Sequence, residues 1–112
     1  MKWVRRLFDT VREWFRTGFQ AICVPDLPDK IAPNIVYLVG DDEPWQAAFL
    51  CPCGCRAIIQ LSLVAEDKPS WSALLHPDQT VTLFPSVWRK RGCKAHFFVR
   101  RGRIVWTHDS GR

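Results

Sequence analysis

Cys51-Pro52-Cys53-Gly54-Cys55 places three thiols at one-residue spacing between two runs of strand-forming residues, Trp45 to Leu50 and Ala57 to Leu63. Cys93-Lys94-Ala95-His96 answers it later in the chain. Thiolates so spaced, with proline and glycine bending the backbone between them, converge on one tetrahedral ion, and zinc is the usual occupant. Four cysteines suffice: Cys51, Cys53, Cys55 and Cys93 make an all-thiolate site that leaves His96 free as a base. The alternative gives His96 one corner and leaves one thiol spare. Thiolate-rich sites are normally closed, so the ion is expected to staple the fold rather than to activate water.

A disulfide framework does not fit these cysteines. Their total, five, is odd, and residues two apart bridge only under severe strain. Met1-Lys2-Trp3 is followed by Arg5, Arg6, Asp9, Arg12, Glu13 and Arg16, which leave no apolar signal core. A reducing compartment, hence the cytoplasm, is the expected location. The apolar runs are too short for a transmembrane helix. A chain of 112 residues makes one small domain whose limited core benefits from a metal crosslink.

Working outward from the cysteines, Ile35 to Val39 reads as a buried strand closed by Gly40-Asp41-Asp42, Trp45 to Leu50 as the strand entering the knuckle and Ala57 to Leu63 as the strand leaving it. Trp71 to Leu75 and Thr80 to Phe84 read as a hairpin, and Val87-Trp88-Arg89-Lys90 as a helical turn delivering Cys93 and His96. Phe97-Phe98-Val99 and Ile104-Val105-Trp106 follow as strands. Before all of these, Val4, Leu7, Phe8, Val11, Trp14, Phe15 and Phe19 form one helical stripe, and Pro25, Pro28 and Pro33 mark a strap. The expected architecture is therefore mostly β (α+β): a zinc-ribbon-like or treble-clef-like antiparallel module over residues 25–112, with an amphipathic helix over residues 1–24 that docks on the module's own sheet or serves a dimer or partner.

Charge is segregated. Arg89, Lys90, Arg91, Lys94, Arg100, Arg101 and Arg103 form a basic run with no acid among them, whereas Asp26 to Asp78 is net acidic. Such a run beside Phe97, Phe98 and Trp106 raises a nucleic-acid-binding zinc ribbon as an alternative function. An acidic protein partner satisfies the same patch. A structural adaptor without activity is a third alternative.

Leu27-Pro28, Tyr37-Leu38-Val39-Gly40, the cysteine knuckle, Pro85-Ser86-Val87-Trp88 and Gly92-Cys93-Lys94-Ala95-His96-Phe97-Phe98-Val99 together resemble a small bacterial family of unknown function encoded beside ubiquitin-like proteins and their activating-like and conjugating-like enzymes. The resemblance covers most of residues 25–106. It implies a component of a bacterial ubiquitin-like conjugation pathway, with the ubiquitin-like protein and its conjugation enzymes as partners. A peptidase that trims precursors or removes conjugates fits that setting. Family members commonly carry glycine where this chain has Arg56, and serine between the paired Cys and His, where this chain has Ala95. If that serine were the nucleophile, Ala95 would make this chain inactive, since alanine has no oxygen to attack a carbonyl.

The candidate catalytic positions are accordingly Ala95 and His96, with a carboxylate such as Asp78 orienting the imidazole. Neighbours in a strand point to opposite faces, which makes Ser86 the remote alternative nucleophile. His76 beside Asp78 is a weaker catalytic candidate, and His108 reads as a solvated tail residue.

Overall fold

A computed structural model of the chain describes residues 18–111. Eight strands follow one another: β1 (Gln20–Val24), β2 (Ile35–Val39), β3 (Gln46–Leu50), β4 (Ile58–Ser62), β5 (Ser72–Leu75), β6 (Val81–Trp88), β7 (His96–Arg100) and β8 (Arg103–Trp106). They form two four-stranded sheets, in the orders β1-β2-β3-β4 and β5-β6-β7-β8. The β1–β2 pair is parallel and every other pair antiparallel.

Alternation decides which side chains reach the core. On β7 Phe97 and Val99 are buried while His96, Phe98 and Arg100 point the other way. On β4 Ile59 and Leu61 are buried while Ile58 and Gln60 are exposed. The inward residues of both sheets, among them Val36, Leu38, Phe49, Leu61, Leu83, Val87, Phe97 and Val99, join one apolar cluster. Phe49 meets Phe19 and Phe97 edge-to-face, with ring centroids 5.9 and 6.2 Å away. Burying each ring is worth about 1.5–3 kcal/mol, before the smaller gain from its edge-to-face geometry. Backbone bonds stitch the sheets at their margins: Phe19 N–H to the Gly102 carbonyl, Ala21 N–H to Gln79, and Trp71 N–H to Ser62. Gly102 has φ +76°, and a Cβ there would collide with the Phe19 carbonyl, so the sheet junction demands glycine.

Three expectations are corrected. Among the described residues the chain is all-β, in two sheets, rather than α+β with a zinc-ribbon or treble-clef outline. The helix expected over residues 1–24 does not reach its end: Gln20–Val24 is strand β1, paired in register with Ile35–Val39. Ala21-Ile22-Cys23-Val24 is apolar throughout with β-branched Ile22 and Val24, so pairing with an apolar strand outweighs the helical stripe upstream. The rest of that expected helix, residues 1–17, lies outside the described residues. The helical turn expected at Val87 to Lys90 is absent, because β6 continues to Trp88 by way of an irregularity that absorbs Pro85. Its register with β7 slips between Leu83 and Val87, the three residues Phe84, Pro85 and Ser86 of β6 facing the single Phe98 of the partner.

No helix of the described residues is long and apolar enough to cross a membrane.

Candidate active site and cysteine cluster

The slip in β6 aims a hydroxyl. Bulges insert extra residues into one strand and redirect their side chains, and Ser86 sits within this one. His96 opens β7 opposite Trp88, so Ser86, two residues before Trp88, is its diagonal neighbour on the face away from the core. Ser86 Oγ lies 3.0 Å from His96 Nε2. On the other side of the imidazole, His96 Nδ1 lies 2.8 Å from Asp109 Oδ1. An ionised carboxylate only accepts, so Nδ1 carries the proton and Nε2 presents its lone pair to the serine hydroxyl.

The last described residues fold back to deliver Asp109. Thr107 donates its N–H to the His96 carbonyl at 3.0 Å, and Gly111 N–H bonds the Lys94 carbonyl at 2.8 Å. His96 N–H donates to Ser110 Oγ at 3.0 Å. Thr107 Oγ1–H donates to Asp109 Oδ1. That hydroxyl first, and the imidazole second, hold the Asp109 carboxyl below its usual range. A depressed carboxylate gives stability above its unfolded pKa and loses it as the pH falls through the folded one, so the acid stays ionised into mildly acidic solution. Trp88 lies flat on the imidazole, centroid to centroid 4.6 Å at 8°.

The residues singled out in the sequence fall as follows. His96 is at the centre, and Ser86 rather than position 95 supplies the facing hydroxyl. Ala95 is 2% exposed and packs in the core cluster. Asp78 is engaged elsewhere: its Oδ1 accepts from Thr80 N–H at 3.0 Å and from Thr80 Oγ1 at 2.5 Å in the β5–β6 turn. His76 Nε2 bonds Thr82 Oγ1 at 2.6 Å. His108 is exposed. Asp109 escaped the sequence reading. Its available signal was the polar group Thr107-His108-Asp109-Ser110 directly after the last strand.

The thiols of Cys51, Cys53, Cys55 and Cys93 all lie within 4.8 Å of one another, a grouping able to hold a metal ion. Cys51 Sγ is 3.4 Å from Cys53 Sγ and 3.6 Å from Cys93 Sγ, near the edge of about 3.8 Å that a tetrahedron with 2.3 Å metal–sulfur bonds requires. Gly54, at φ +93°, turns the knuckle. Burial pushes the Cys51 thiol up to about 12. Burial also raises Cys93, but the Ala95 amide and the neighbouring thiols outweigh it and bring it down to about 6. Arg89 Nη1 donates to Cys55 Sγ at 3.4 Å and Cys93 Sγ at 3.2 Å, favouring the thiolate forms. His96 takes no part in the cluster, since both its ring nitrogens are committed to Ser86 and Asp109. A cavity of about 530 Å³ beside the knuckle, lined by Ile31, Pro33, Leu50, Cys51, Gly54 and Arg56, touches none of the three triad residues.

Fold and site together describe a two-sheet β protein with a serine–histidine–aspartate constellation on one outer face and a four-cysteine cluster beside the hairpin that carries it. The chain belongs to the family described as the bacterial ubiquitination-like system serine protease, BubE, whose family model matches residues 23–107. Ser86, His96 and the four clustered cysteines fall inside the match, and Asp109 lies just beyond it. No curated protein and no solved structure matches the chain.

Proposed function

We propose that this chain is an active serine peptidase of a bacterial ubiquitin-like pathway, cleaving the acyl bond at the end of the ubiquitin-like protein in precursors or conjugates. The observation that carries the reading is the continuous line from Ser86 Oγ through the imidazole to Asp109. His96 Nε2 takes the hydroxyl proton as Ser86 attacks the carbonyl, then returns it to the leaving amine; water attacks the acyl-serine in a second passage through the same base. Asp109 fixes the tautomer and stabilises the imidazolium that forms in between. The order Ser86…His96…Asp109 differs from the three chain orders best known for this constellation, which is defined by geometry rather than sequence order.

Zinc is the ion we assign to Cys51, Cys53, Cys55 and Cys93. All-thiolate donors at tetrahedral spacing suit it, and when bound it supplies a crosslink rather than a Lewis acid. Its place is structural. Cys93 is tied to the knuckle of the first sheet, and Arg89, hydrogen-bonded through its N–H to the Ala95 carbonyl, closes the hairpin whose strands hold Ser86 and His96. Five cysteines free of disulfides support a reducing, cytoplasmic setting.

The test is cleavage of a linear ubiquitin-like fusion. The unmodified chain is expected to release the C-terminal partner, and Asp109→Asn to lower kcat by about 10⁴-fold, since the amide favours the wrong imidazole tautomer. An unchanged rate in Asp109→Asn would remove Asp109 from the machinery. Ala95→Ser should bring no new activity: the added hydroxyl would sit in the core, away from the outward-facing imidazole of His96. A faster Ala95→Ser enzyme that no longer needs Ser86 would transfer the nucleophile to position 95.

A further inference from the structure

The outward face that carries the triad is graded along β7. Alternation places Phe98 and then Arg100 on the same side as His96, Arg100 lying about 13 Å along the strand from it. Cross-strand partners extend each step: Phe98 is opposite Val105, and Arg100 is opposite Arg103. The face therefore runs from the nucleophile, through the apolar Phe98–Val105 pair, to two guanidinium groups. At the other end of the hairpin Lys90 lies 3.1 Å above the Trp88 ring. Residues 86–106 hold seven cations and no acid, whereas residues 26–78 hold eight acids against Lys30, Arg56 and Lys68.

Like charges set directly opposite in a sheet repel. Arg100 and Arg103 nonetheless face each other, and among the described residues the one ion pair is His96–Asp109. A carboxylate between the two guanidiniums would turn repulsion into two charge-assisted contacts. The aromatic residues speak against a nucleic-acid strand in that place. Base stacking needs a free ring face, but Trp88 carries His96 and Lys90, and Phe98 carries the Arg100 guanidinium 4.6 Å from its centroid.

We infer that this face docks the substrate as an acidic polypeptide, with an apolar side chain against the exposed Val105 and a carboxylate between Arg100 and Arg103. The inference rests on the peptidase reading for what happens at Ser86, but binding can be measured without it. The probes are fluorescein-labelled decapeptides alternating leucine with glutamate, glutamine or lysine, and a twelve-mer of deoxythymidine. They are titrated by anisotropy against the full-length, metal-loaded Ser86→Ala chain, which binds whether or not Ser86 is a nucleophile. The glutamate peptide should bind about tenfold more tightly than the glutamine peptide and lose that advantage at high salt. Adding Arg100→Glu and Arg103→Glu should reverse the preference toward the lysine peptide, a gain that unfolding cannot imitate. Equal binding of the glutamate and glutamine peptides would overturn the inference, as would undiminished glutamate binding by the charge-reversed protein. Tighter binding of the oligonucleotide than of the glutamate peptide would also overturn it, assigning the face to nucleic acid.

Discussion

Ser86→Ala is expected to reduce cleavage of a ubiquitin-like fusion by on the order of 10⁴-fold or more while leaving the fold and the cysteine cluster in place. The side chain is half-buried on the outer face, and removing one hydroxyl there leaves no cavity in the core. The catalytic loss is large because nucleophile and base act as a unit: without the hydroxyl the imidazole has nothing to activate except water. His96→Ala should cost nearly as much, and the double variant scarcely more than either. The check is single-turnover cleavage followed by gel or intact mass. Residual activity in Ser86→Ala within tenfold of the unmodified chain would point to another nucleophile.

The second large effect concerns the cysteine cluster. Cys93→Ser removes the one thiol that the β6–β7 hairpin brings to the knuckle of the first sheet, and Ser is a poor ligand for a soft metal. Structural zinc in small domains contributes about 10–16 kcal/mol of binding free energy. Losing even about 3 kcal/mol of that would lower the melting temperature by roughly 12–24 °C in a domain of this size. A chelator should act likewise on the unmodified protein. Peptidase activity should fall with the metal although no chemical step passes through it, because the loosened hairpin sets the Ser86–His96 distance. Native mass spectrometry and thermal unfolding check the effect; a metal-free Cys93→Ser protein that melts with the parent would leave the cluster without a structural role.

The parts of this molecule legible in the sequence are those written in local spacing. Cys51-Pro52-Cys53-Gly54-Cys55 needs only a tight turn to bring three thiols together, and Ile35–Val39, Phe97 and Val99 follow from alternation and β-branched content. What escaped depends on long-range pairing. Pro85 followed by Ser86 reads as a helix start, yet β6 absorbs both in an irregularity because β5 and β7 pair on either side of it. The irregularity is what brings Ser86, the remote alternative in the sequence, up to His96, whereas position 95 drew attention only through the family resemblance. Ala95, the residue before β7, is buried in the core, whereas His96 turns its imidazole to Ser86 and Asp109, so a hydroxyl at 95 points away from that imidazole. Asp109 was hidden for another reason: the turn that returns it to His96 is held by Thr107, Ser110 and Gly111 bonding to residues 94 and 96, contacts that no periodicity announces. Gln20–Val24 was misassigned because a parallel partner contributes to β1 what its own short sequence does not.

Activation of Ser86 by His96 can be read covalently. The metal-loaded chain is treated with a fluorophosphonate, which phosphonylates an activated serine through the same base that would start acyl transfer, and the modified peptide is mapped by mass spectrometry. One adduct is expected, on Ser86, lost in His96→Ala and strongly slowed in Asp109→Asn. An unreactive Ser86 in the folded, metal-loaded protein, or an adduct on another serine, would contradict it.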